Sequence, residues 1–138
     1  MLISDMIDLA KEFVISDKDF TVDCIEDETI NMSFVRKIES SGMSMAEFSR
    51  RSGISEKSLV RIRRNLSEPS FETIVILCIV LRLNVYESLY LISKGGYNLF
   101  GSYDRKVYLL IIFLSRYFGI DVNEANIILK SLDAKPLR

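Results

Sequence analysis

Residues 45–64 constrain this chain more than any other stretch. They hold two short amphipathic segments with a single glycine, Gly53, between them. Ser44 opens the first segment with Glu47 in third place, a pairing in which each side chain can satisfy the other's backbone N–H. Ser55 opens the second, with Ser58 where an acid would complete the same pattern. Two helices that cross through a turn of about three to four residues make three demands. A small residue must stand where they approach, the turn must accept a positive φ, and apolar side chains must plug the angle. Ser49 meets the first and Gly53 the second. Phe48, Ile54, Leu59 and Ile62 meet the third.

The rest of the chain reads as helices around that bend. Ser4 and Asp5 can cap a first helix running to about Ile15, with Ile7, Ala10, Phe13 and Val14 on one stripe. Residues 17–28 are rich in acids and contain the alternation Phe20, Val22, Cys24, compatible with either a short strand or an irregular segment. From Asn31 the stripe Phe34, Val35, Ile38 predicts a helix ended by Ser40, Ser41 and Gly42. Ser70 caps an apolar helix expected over residues 71–83, and Asn84 separates it from another over 85–92. Lys94, Gly95 and Gly96 mark the expected domain edge. Beyond them a helix over 103–118 should be buried, because residues 107–114 are apolar nearly all round. After Gly119, Asp121 and Glu124 form a capping box for a last helix facing inward through Ile127, Ile128 and Leu132. The expected fold is all-α. A five-helix core spans 32–94, an acidic leader covers 1–31, and a two-helix extension covers 95–138.

Charge is sorted along this chain. The net charge is −1. Residues 1–31 set two lysines against nine acids, whereas 32–64 set eight bases against three acids. A basic middle inside a near-neutral chain points to nucleic acid bound through a local patch. The acidic leader reads either as a solubilising cap packed by its apolar stripe or as a shield for the basic surface. The six tyrosines, Tyr86, Tyr90, Tyr97, Tyr103, Tyr108 and Tyr117, lie mostly away from the basic cluster and read as core packing rather than as stacking platforms.

Several chemistries lack their residues. The chain has no histidine and only two cysteines, Cys24 and Cys78, which are far apart and read as buried free thiols of a reducing cytosol. No metal, cofactor or catalytic residue is implied: a glycine-rich phosphate loop and a Gly-x-Ser-x-Gly elbow are both missing. Glu26 and Glu28 stand in a charged stretch without the apolar shelter that raises a carboxyl pKa. The longest apolar runs are eight residues, against about 20 for a membrane span. The first ten residues carry aspartates where a secretory signal carries lysines. A cytoplasmic protein without membrane contact is expected.

The bend and the segments downstream of it resemble the lambda-repressor-like, Xre-type helix-turn-helix family of bacterial and phage regulators. Beyond the motif itself, Arg64-Asn65 with Glu68-Pro69-Ser70-Phe71-Glu72-Thr73-Ile74 resembles that family's loop and fourth helix. Leu81-Arg82-Leu83-Asn84-Val85-Tyr86-Glu87-Ser88-Leu89 resembles the start of its fifth. The resemblance covers residues 33–93. Two positions depart from it: Met45 stands where a phosphate-contacting glutamine is frequent, and Ser52 where an apolar residue is usual.

The resemblance implies a duplex-DNA partner and a second helix lying in the major groove. Glu56, Lys57 and Arg61 would face base edges, where a lysine or arginine can donate to guanine O6 and N7 and a glutamate can accept from cytosine N4. Glu56 can equally serve only to stabilise the positive end of its own helix. Ser55, with Ser58 beside it, would place hydroxyl and backbone N–H against a phosphate. Arg64 and Asn65 would sit over the next phosphates, with Arg50 and Arg51 flanking the backbone. It also implies a homodimer, for which residues 95–138 are the candidate interface, and a repressor that occupies a short symmetric site. The other reading is an antitoxin or phage-type inhibitor that works through a protein partner on the leader or the tail.

Overall fold

The computed structural model describes residues 2–18, 27–98 and 103–137, with side chains over 2–11, 27–98 and 105–137. The described residues form helices only: α1 (Ile3–Lys18), α2 (Ile30–Ser40), α3 (Met45–Ser52), α4 (Glu56–Arg63), α5 (Phe71–Val80), α6 (Val85–Lys94), α7 (Tyr103–Phe118) and α8 (Val122–Ser131). The alternation around Phe20, Val22 and Cys24 lies outside the described residues. Among those described, no helix is long and apolar enough to cross a membrane.

Helix starts follow the caps written in the sequence. Thr29, Ser44, Ser55, Ser70, Asn84 and Asp121 each accept a backbone N–H from the first turn of their helix. Asp121 and Glu124 close the reciprocal capping box. Replacing such a cap by alanine costs about 1 kcal/mol. The first helix departs from expectation: it begins at Ile3, so Ser4 and Asp5 lie within its first turn rather than before it, and it continues to Lys18.

Helix ends carry weaker signals, for a physical reason. α5 stops at Val80 rather than continuing to residue 83, because Arg82 turns into the left-handed region at φ 52 and Leu83 N–H reaches back to the Cys78 carbonyl. Asn65 (φ 58) ends α4 the same way, with Leu66 N–H on the Arg61 carbonyl. Glycine normally takes this position because a Cβ is strained there, and an arginine gives no such signal.

One core joins α2 through the C-terminal tail, from Ile30 to Leu137. α5 is its axis. Ile74, Val75, Ile76, Leu77, Cys78 and Ile79 are all buried, and the helix packs against α3, α6, α7 and α8. Cys78 is a free thiol, and full burial pushes its pKa up to about 12, which removes it from thiolate chemistry. α7 lies on α5 through Val107, Tyr108, Ile111 and Ile112, and Ser115 Oγ donates to the Ile79 carbonyl at 2.9 Å. It is not buried all round, since Leu110 and Phe118 face outward. α8 turns inward through Val122, Ala125 and Leu129, which leaves Ile127 exposed, contrary to its expected inward place. Of the tyrosines, Tyr108 is buried whereas Tyr86 is exposed.

Two features of the leader differ from their reading as a solvated, packed cap. Ile7 and Ala10 are not packed away: both are exposed, as are Leu2, Ile3 and Met6. Glu28, read as an acid without shelter, is buried. Arg36 grips it with two bonds of 2.8 Å, and the Ser33 hydroxyl donates a third at 2.5 Å. The guanidinium holds this carboxyl below its ordinary 4.5, against the opposing push of burial. A lowered folded-state pKa means that the stabilisation is fully present above the ordinary value and is lost as pH falls through the lowered one. Glu28→Gln should therefore cost about 1.5–3 kcal/mol near neutrality and clearly less at pH about 3. Denaturant unfolding at the two pH values checks this; an equal cost at both would contradict it.

Candidate nucleic-acid interface

α3 and α4 are each eight residues, joined through Gly53, Ile54 and Ser55. Gly53 ends α3 at φ 78, ψ 2, a conformation that strains any residue with a Cβ. The turn is locked by serines. Ser49 Oγ donates to the Ile54 carbonyl at 2.6 Å, and Ile54 N–H donates to Ser52 Oγ at 3.1 Å. Ser49 is thus more than a small residue at a close approach, and Ser52, 2% exposed, uses its buried position to hold the turn. Behind it Phe48, Leu59 and Ile62 are buried and Ile54 is half-buried, so the expected plugs sit inside. Met45 is half-buried against the same core.

The opposite face of α4 is bare. Ser55, Glu56, Lys57, Ser58, Arg61, Arg64 and Asn65 are all exposed. Ser55 Oγ accepts the Ser58 N–H at 3.1 Å and donates to Ser58 Oγ at 2.9 Å, which fixes the helix start. Glu56 and Lys57 stand in the first turn and Arg61 one turn on, forming one outward ridge. A guanidinium nitrogen of Arg61 reaches the Leu66 carbonyl at 3.5 Å, a loose contact at the limit of a hydrogen bond.

Arg50 and Arg51 are exposed but stand apart from that ridge, on α3. Arg50 lies 3.9 Å from Glu47, one turn back along its own helix. Arg51 lines a small cleft of about 40 Å³ with Val80, Arg82, Ile120 and Asp121, at the turn between α7 and α8.

Asn31 is a positioning residue that the helical stripe alone does not single out. It is 5% exposed, and its Nδ2 donates to the Ile62 carbonyl at 2.9 Å and to the Ser67 carbonyl at 2.7 Å. One side chain therefore ties the end of α4 to the loop that carries Arg64 and Asn65. A signal for it exists: Asn31 lies three and seven residues before Phe34 and Ile38, on their inward stripe. A polar residue in that register must have partners.

A second buried contact fixes the first helix of this unit to the last. Lys37 Nζ lies 2.6 Å from Glu87 Oε1, with side chains 10% and 3% exposed. Glu87 Oε2 and Asn84 Nδ2 are buried without a hydrogen-bond partner. α2, α4 and α6 are thereby joined by polar contacts as well as by carbon.

Comparison with known proteins agrees with this geometry. A family model described as helix-turn-helix matches residues 35–87. No curated protein and no solved structure matches the chain. Over residues 35–87 the chain is therefore similar to the helix-turn-helix domains of the lambda-repressor-like, Xre-type family.

Proposed function

We propose that this protein is a cytoplasmic transcriptional regulator, a repressor, that binds a short symmetric duplex site as a dimer. One observation carries the reading: Lys57 and Arg61 stand on the exposed ridge of a helix whose other face is plugged into the core. In this reading residues 32–94 hold the DNA and 95–138 hold the second copy. Lys57 and Arg61 read bases, with Glu56 able to accept from a cytosine. Ser55, Ser58, Arg64 and Asn65 contact phosphates, and Arg50 and Arg51 add charge along the backbone.

Selection of bound duplexes from a random pool tests binding, site length and symmetry at once. On the selected site, Arg61→Ala should lose about 1–3 kcal/mol and relax preference at one base pair. Arg64→Ala should weaken all sequences alike and reduce the salt slope by about 0.9. An unchanged preference for Arg61→Ala would refute the assigned register.

The exposed apolar residues of α1 and its start, Leu2, Ile3, Met6 and Ile7, favour a second role. A run of this kind fits a protein partner, as in an antitoxin or phage-type inhibitor. Capture of a partner that survives neutralising Arg61 and Arg64 would support it.

A further inference from the structure

The C-terminal end of the fold presents a preformed apolar groove. Asn126, Ile127, Lys130, Asp133, Ala134 and Pro136 line it, and its volume is about 570 Å³. One wall is the tail after α8, which is firmly held. Asn126 Nδ2 donates to the Leu137 carbonyl at 2.7 Å, and Leu137 N–H donates to Asn126 Oδ1 at 2.6 Å. The Tyr108 hydroxyl donates to the Lys135 carbonyl at 2.6 Å, and Lys135 Nζ lies 3.2 Å from Glu72 on α5. Ala134 and Leu137 are buried beneath. The groove thus keeps its shape without an occupant.

What sits around it selects the occupant. Ile127 projects at the rim, 69% exposed. Lys130 and Asp133 lie three residues apart on the same patch, both exposed, and among the described residues no ion pair joins them. A contact between identical chains across a two-fold axis uses one patch twice, so the patch must complement itself. This one does: a projecting aliphatic group stands beside a hollow, and a cation beside an anion. A purely acidic or purely basic partner would match only half of it.

We infer that this groove is the contact between two copies of the chain, related by a two-fold axis. Ile127 of each copy enters the hollow of the other, and Lys130 meets the other copy's acidic group at position 133. The inference rests on the dimeric reading above and gives that dimer its surface.

Sedimentation equilibrium of the full chain without DNA tests it. The wild type should dimerise, and Ile127→Asp should raise the dimer dissociation constant by about thirtyfold or more. Because Ile127 is exposed, circular dichroism should be unchanged. Lys130→Asp and Asp133→Lys should each weaken association, and the two together should restore it. Asp133 has φ 56, a strained position for a side chain, so circular dichroism must show each charge-reversed variant folded before its association is compared. A wild type that stays monomeric overturns the inference. So does an Ile127→Asp chain that dimerises normally, or a double reversal no better than the worse single one. Titration of a single half-site duplex separates the two readings. Loss of groove contacts leaves it intact, whereas failure of the DNA reading abolishes it whatever the oligomeric state.

Discussion

Lys37→Met is expected to cost about 3–5 kcal/mol of folding stability, the effect of removing one member of a buried ion pair. Glu87, left behind, would stand without its counter-charge in a position 2% exposed, with its second oxygen already unpartnered. The cost belongs to the abandoned charge rather than to the strength of the bond. Lys37→Met combined with Glu87→Leu should therefore recover most of the loss, because well-packed carbon in place of both charges is often neutral or better. Denaturant midpoints for the wild type, both single variants and the double form the cycle. A Lys37→Met midpoint close to wild type, or a double variant as weak as the single, would show that this pair is not the strut described.

Phe48→Ala is expected to cost a similar amount, about 3–5 kcal/mol, which lowers the melting temperature by about 10–15 °C. Phe48 is fully buried and meets Phe34 edge to face, with ring centres 6.1 Å apart at 88°. It is the main plug between α3 and α2, so its loss leaves a cavity under the bend that aims α4. DNA affinity should fall further than stability alone requires at a temperature where the variant is still folded. Thermal melts paired with duplex titration well below the transition check this. A folded variant that binds as tightly as wild type would mean that the bend is held by the serine locks alone.

The sequence was informative where one residue type meets one physical need. The bend was legible because Gly53, Phe48, Leu59 and Ile62 answer separate demands at fixed spacing, and the caps at Ser44, Ser55, Ser70 and Asp121 because their side-chain oxygens replace missing partners. The end of α5 at Arg82 in the left-handed region was not legible, because the packing of the next segment can force many residue types there, whereas Asn65, which tolerates that region, does mark the end of α4. The buried pairs were missed for a different reason. Lys37 and Glu87 are 50 residues apart, and Glu28 stands in a run of acids, so charge alone reads as solvated. Only the fold brings Arg36 and Lys37 to them. The site residues divide likewise: Ser55 to Arg64 follow from helical register, whereas the cleft beside Arg51 depends on where α8 begins.

The apolar axis α5 has a mechanical consequence. The helix that supports α3 from one side is held from the other by α7, down to the Ser115 bond on the Ile79 carbonyl. The segment beyond Gly96 and the half that carries α4 therefore rest on the same beam, and a substitution that shifts that beam is felt at both ends.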